Sequence, residues 1–256
     1  MILMGKKTRE YCKALHQLFD EQMVLVYTMG KVGSSAVEDW LGHAFHTHTL
    51  YGHPPSPPFH IRKYGKIGFL VRRYTVYPLK RAMIRARPRV KIVTFFRDPR
   101  DRNPSMFMHD LPFWLTNYIC DHGVPSRVED SEFLLTAYKK VFPHDYPGLW
   151  VRNELSRFTG IATEDLWLGN DDYRIVTQGR YSVFIGRAEK LTECLATMAE
   201  FLDIPQRAHL ARINRGAAKW YAPLYRDFLQ SLRADASIDY AEDFRRANGY
   251  VNTPQA

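Results

Sequence analysis

Apolar and polar positions change period several times along the chain. In Arg9 to Asp20, Tyr11, Leu15, Leu18 and Phe19 recur at helical spacing and predict an amphipathic helix. Met23 to Tyr27 (MVLVY) is a continuous apolar run, the pattern of a strand covered on both faces in a parallel sheet. A loop rich in glycine and serine, Thr28 to Ser35 (TMGKVGSS), follows it, and Ala36 to Phe45 returns to helical spacing. Phe45 to Leu50 (FHTHTL) alternates and predicts a second strand. A Pro-rich turn at His53 to Pro58 and a basic, partly helical stretch from Tyr64 to Arg89 lead to Val90 to Phe96 (VKIVTFF), the clearest strand of the chain. Helices are predicted within Asp101 to Ile119, Asp130 to Phe142 and Leu149 to Phe158, and short strands at Tyr173 to Thr177 and Ser182 to Ile185. Ala188 to Ala247 reads as helical, with breaks near Pro205 and Ala236.

Strands alternating with helices predict an α/β fold with a central parallel β-sheet flanked by helices on both faces. No repeat, low-complexity tract or composition shift divides the 256 residues, so a single domain over 1–256 is expected, its C-terminal part (about 188–247) helical.

Charge narrows the partners. The chain carries 36 Lys and Arg against 27 Asp and Glu, a net charge of +9, which favours anionic ligands. The densest basic region comprises Arg62, Lys63, Lys66, Arg72, Arg73, Lys80, Arg81, Arg85, Arg87 and Arg89, either a solvated face or a surface for an anionic molecule. Cys12, Cys120 and Cys194 are odd in number and far apart, which suggests neither a disulfide framework nor a cysteine zinc site, and fits a reduced, cytoplasmic setting. No apolar run has the length of a signal peptide or a membrane span.

The loop after the first strand carries the first chemical signal. Gly30 and Gly33 let the backbone turn tightly and approach an anion, and the helix that follows offers unpaired N–H groups to it. Lys31 adds a cation, and Ser34 and Ser35 add hydroxyl donors. Lys31 precedes Gly33, so the order is not that of a Walker A loop. The second signal follows the strand Val90 to Phe96. Arg97 stands at its carboxyl end, where ligands of open parallel sheets bind, Asp98-Pro99 stops the strand, and Asp101 is placed to cap a helix. Ser105, eight residues after Arg97, can return its hydroxyl beside the guanidinium, and an arginine fork with a hydroxyl suits a phosphate monoester.

These two segments, about 60 residues apart, resemble the nucleotide-binding elements of sulfotransferases that use 3'-phosphoadenosine-5'-phosphosulfate (PAPS). K-x-G-S-S resembles their 5'-phosphosulfate loop, which implies roles for Thr28, Gly30, Lys31, Val32, Gly33, Ser34 and Ser35. R-D-P with a serine eight residues after the arginine resembles their 3'-phosphate element, matched by Arg97 and Ser105. Trp150 to Ile161 and Ser182 to Ile204 are similar, more loosely, to later blocks of bacterial sulfotransferase-like proteins of the capsular polysaccharide type. There Lys190 stands where the R-x-E-D-L pattern has an acid. The resemblance implies a single domain related to P-loop nucleotide kinases (the sulfotransferase fold), PAPS as co-substrate, no metal, and a hydroxyl-bearing acceptor of which a carbohydrate is one class.

Sulfuryl transfer needs a base for the acceptor hydroxyl and a cation for the leaving oxygen. Lys31 is the cation expected. His48 is the first choice of base and His46 the second; two apart, they share a face of a strand, and the resemblance places H-x-H there. His53 and His60 are further candidates, Pro112, Phe113, Trp114 and Tyr118 are either acceptor pocket or helix core, and Asn214, Arg215, Gly216 and Lys219 could form a basic loop over the 3' phosphate. A nucleotide or small-molecule kinase and a basic nucleic-acid-binding protein are the alternatives. The first lacks its acidic magnesium ligand after the strand at Phe96, and the second lacks a zinc-finger, RNP or helix-turn-helix signature, so no specific nucleic-acid partner is expected.

Overall fold

The computed structural model describes residues 22–42, 44–52, 65–123, 131–205, 221–235, 237–238 and 240–250. Five strands form one sheet: β1 (Gln22–Tyr27), β2 (Phe45–Thr47), β3 (Arg89–Phe96), β4 (Tyr173–Gln178) and β5 (Tyr181–Arg187), in the spatial order β2-β1-β3-β5-β4. β2, β1, β3 and β5 are parallel neighbours; β1 sets Leu25 beside Phe45 on one flank and Ile92 on the other, and Ile92 pairs with Val183. Leu25, Ile92, Val93, Val183 and Phe184 have no solvent exposure, as strands covered on both faces require.

The fold is therefore α/β, with a mostly parallel central sheet flanked by helices. One strand departs from the expected all-parallel arrangement. β4 runs antiparallel to β5 because only two residues, Gly179 and Arg180, join them, and Gly179 takes φ 57° in the turn. A two-residue link can only make a hairpin; a parallel pair needs a crossover of a dozen residues or more.

The helices include α1 (Ser34–Leu41), α2 (Tyr77–Arg85), α3 (Pro99–His109), α4 (Leu111–His122), α5 (Ser131–Val141), α6 (Tyr146–Trp150), α7 (Leu195–Leu202), α8 (Ala222–Arg233) and α9 (Glu242–Ala247). α2 continues helical residues 65–71 through a π stretch, Arg72–Val76. α6 likewise widens into a π stretch, Val151–Ser156, before a last turn at Arg157–Thr159.

Two apolar clusters divide the interior. The larger surrounds the sheet, and the smaller joins Phe107, Met108, Trp114, Tyr138, Phe142 and Phe228 from α3, α4, α5 and α8. Trp114 is buried in the second cluster, with Phe113 and Tyr118 packed against it, so these aromatics serve as helix core; Pro112 is exposed.

Two boundary expectations are corrected. The second strand ends at Thr47 and not at Leu50, because the backbone N–H groups of Leu50 and Tyr51 donate to the Glu154 carboxylate. The cap of α3 is Asp98, whose carboxylate accepts from the Arg100 N–H at 2.9 Å; Asp101 lies inside the first turn.

Candidate functional site

The carboxyl ends of β1, β2 and β3 bring both sequence signals together. After β1 the chain enters a tight loop in which Gly30, Lys31 and Gly33 adopt positive φ (83°, 63° and 83°), while Val32 between them does not. Left-handed backbone at Lys31 is uncommon for a residue with a Cβ and must be held by its surroundings. Two guanidinium groups hold it. Arg102, 1% exposed, donates from Nε to the Gly30 carbonyl at 3.3 Å and from Nη2 to the Met29 carbonyl at 3.1 Å. Arg97 donates to the Lys31 carbonyl at 3.3 Å.

With three successive carbonyls bound to cations behind the loop, the alternation of hand from Lys31 to Ser34 makes the backbone concavity that receives anions elsewhere. It opens at the start of α1, whose first turn has unpaired N–H groups and the positive end of the helix dipole. Val32 has no solvent exposure and anchors the loop, so its part in binding an anion is confined to its backbone. Ser34 is buried and Ser35 exposed at the first two positions of α1. Gly33 faces Leu191: a Cβ there would stand 3.0 Å from Leu191 Cδ2 in addition to the strain of φ 83°. A Gly33→Ala variant is therefore expected to lose about 1–2 kcal/mol of stability, checked by urea unfolding.

Arg97 stands directly after β3, and Ser105 lies on the second turn of α3. Both lie near Tyr225 of α8: burial governs its phenol, and the Arg97 charge and the Ser105 hydroxyl act on it in the opposite sense. Burial pushes the Tyr225 pKa up, so the phenol is protonated at neutral pH. Arg97, Ser105 and Tyr225 are thus neighbours. Asp98 belongs to the frame: it caps α3 and forms a buried ion pair with Arg245 (3.2 Å), and its own N–H donates to Glu189. Glu189 and Leu191, from the segment after β5, thereby lie against both the start of α3 and the loop after β1.

His48 follows β2. Its Nδ1 lies 2.9 Å from the Thr28 carbonyl and 3.3 Å from the Thr28 hydroxyl, which gives buried Thr28 a role in fixing this ring. The ring also borders the loop, since a Cβ on Gly30 would be 3.8 Å from its Cε1 and Nδ1. Dense packing at the sheet end and the neighbouring His46 imidazole pull the His48 pKa down, to about 4. The imidazole is therefore neutral at pH 7, and the side chain presents an exposed face. His46 lies within β2, its ring centroid 4.5 Å from that of His48, and its Nδ1 is 2.8 Å from the Glu38 carboxylate of α1. His46 thus reads as a positioning residue behind His48.

Glu154, with no solvent exposure, gathers the segment after His48. It accepts from Tyr27, from Thr49 at 2.7 Å, and from the N–H groups of Leu50 (2.6 Å) and Tyr51 (3.1 Å). The Trp150 indole donates to the His48 carbonyl at 2.9 Å. The π stretch after α6 sets Glu154 in this position, as such bulges often do at functional sites.

No family model, curated protein or solved structure matches the chain. The geometry therefore stands on its own residues.

Sequence reasoning missed Arg102, Glu154 and Tyr225. Arg102 and Arg100 are alike in local sequence, and what separates them is the Tyr146 ring under the Arg102 guanidinium. His53, His60, Arg62, Lys63, the Pro-rich turn, the helix of Arg9 to Asp20, and Asn214, Arg215, Gly216 and Lys219 lie outside the described residues. Among the described residues, no group of three His, Cys, Asp or Glu is arranged to hold a metal ion, and no helix is long and apolar enough to cross a membrane.

Proposed function

We propose that the chain is a PAPS-dependent sulfotransferase with a P-loop nucleotide-kinase-like fold, acting on a hydroxyl-bearing acceptor, with carbohydrate as the class suggested by its resemblances. The observation that carries this reading is the backbone loop of Gly30 to Ser34, braced from behind by Arg97 and Arg102, with Arg97, Ser105 and Tyr225 grouped beside it. One anion cradle suits the 5'-phosphosulfate. The second donor group suits the 3'-phosphate of the same nucleotide.

In the reaction, the acceptor oxygen attacks sulfur in line while His48 takes the hydroxyl proton. The bond between sulfur and the bridging oxygen breaks, and adenosine 3',5'-bisphosphate leaves with the negative charge, which Lys31 and the loop N–H groups stabilise. Atoms and charge balance without a redox partner. The kinase alternative calls for an acidic magnesium ligand after a strand. Here β3 is followed by Arg97, and the next residue, Asp98, already serves α3 and Arg245.

Calorimetric titration with adenosine 3',5'-bisphosphate, alongside ATP with magnesium, tests the proposal. Micromolar binding of the bisphosphate and weak binding of ATP is the expected result, and the reverse order would support the kinase. Arg97→Ala is expected to weaken bisphosphate binding about 10- to 100-fold, the range for losing a charge-assisted hydrogen bond.

A further inference from the structure

The basic region of the sequence has a structural companion that the sulfuryl-transfer reading does not use. Helical residues 65–71, the π stretch Arg72–Val76 and α2 form one continuous helical arm. From 65 to 76 no residue is buried, although the arm carries several large apolar side chains. Ile67, Leu70, Val71 and Tyr74 recur at i, i+3, i+4 and i+7, a single helix face, and Ile67 is 79% and Tyr74 69% exposed. Leu79, 56% exposed, comes five residues after Tyr74, one turn in the register of the π stretch, so the apolar stripe continues into α2.

The stretch of sequence that holds this stripe is one-signed in charge. Twelve of the chain's 36 Lys and Arg, and none of its 27 Asp and Glu, fall in residues 40–97. The remainder holds 24 basic against 27 acidic residues, so the whole positive excess belongs to this region. Exposed Lys66 and Arg73 lie on the arm, Arg73 between the rings of Phe69 and Tyr74 at about 6 Å from each.

We propose that this arm lays its apolar stripe into the headgroup region of an anionic bilayer, with the flanking cations on the lipid phosphates. Neither half of the feature alone selects a membrane. A polyanion such as nucleic acid or an acidic glycan would use the cations and leave Ile67, Leu70 and Val71 in water. A boundary between headgroups and acyl chains takes both. The arm is too short and too charged to cross the bilayer, so it lies on the surface. Its inner end touches the catalytic edge: Lys80 donates to the Thr47 hydroxyl at 3.4 Å, and Arg81 donates to the Leu50 carbonyl at 2.5 Å while covering the Tyr51 ring. Docking would thus place the His48 segment near the bilayer and favour acceptors held there.

The inference does not depend on the sulfotransferase reading, and its test needs no turnover. The purified full chain is co-sedimented with vesicles of phosphatidylcholine alone and of phosphatidylcholine with about one-third phosphatidylglycerol, at low and high salt. Partition onto the anionic vesicles is expected to exceed that onto the neutral ones by about tenfold or more and to fall with salt. Ile67→Ser with Tyr74→Ser, and separately Arg73→Ala, should each reduce it, the latter about fivefold. All these side chains are exposed, so circular dichroism and bisphosphate binding should match those of the parent protein. Equal partition onto both vesicles, or full partition by the Ile67/Tyr74 variant, would overturn the proposal. So would a dimer in sedimentation that the Ile67/Tyr74 variant dissolves, since a second copy would then cover the stripe. Binding to heparin that depends on Arg73 but not on Ile67 and Tyr74, without vesicle binding, would assign the face to a polyanion instead.

Discussion

An Arg102→Met variant is expected to lose about 3 kcal/mol of stability and most of its affinity for adenosine 3',5'-bisphosphate. Methionine keeps much of the stem volume, so the effect isolates the guanidinium. That group donates to the Gly30 and Met29 carbonyls and to Asn103 Oδ1 at 2.7 Å, and stands over the Tyr146 ring at 4.4 Å from its centroid. Burial pulls its pKa down, to about 10, a sign of how far it has left water; it remains protonated at neutral pH. Removing it strands two loop carbonyls, and an unpaired buried acceptor costs about 1–3 kcal/mol. The loop then has less reason to keep Lys31 at φ 63°, and its N–H groups lose their common direction. Urea unfolding and calorimetry measure the two losses separately. A variant that loses stability but keeps bisphosphate affinity would show Arg102 to be a core cation with no hold on the shape of the loop.

The contrast between Arg97 and Arg102 shows what the sequence could and could not tell. Arg97 was legible because a strand end is a defined place, and a continuous β-branched run announces the strand. Arg102 is one of three arginines within RDPRDR, and its burial depends on Tyr146, 44 residues further on. The strands that became β1, β3 and β5 were readable from local pattern alone, since burial on both faces leaves an unbroken apolar signature. β2 was read three residues too long. The hydroxyls, amides and carboxylate that end it belong to Thr49, Leu50, Tyr51 and Glu154, and Glu154 lies more than 100 residues away. Asp98 and Asp101 are both good capping residues, and nothing within RDPRD distinguishes them; the buried Arg245, 147 residues on, pairs with the first. For the end of β2 and for the cap of α3, the choice among like local residues is made by a distant partner.

His48→Ala is expected to lower kcat by about 10²- to 10⁴-fold, the usual contribution of a general base, while the bisphosphate affinity changes by no more than about twofold. His46→Ala should cost less, because His46 acts through the His48 ring that it abuts. The pH dependence gives the sharper test. The folded pKa of His48 is lowered from 6.5 to about 4, so the unfolded chain takes up this proton first. Its contribution to stability is accordingly complete above about pH 6.5 and is lost as pH falls from there toward 4. For catalysis the same shift has a cost, since a base that weak in the free protein takes a proton poorly near neutral pH. A phosphosulfate in the Gly30 loop would put negative charge beside the imidazole and favour its protonated form. The acid limb of kcat/KM, which reports the free protein, should then lie below pH 6.5, and that of kcat, which reports the complex, should lie higher than it. Coincident limbs would mean that the bound donor does not reach His48, and the base would have to be sought elsewhere along the same sheet edge.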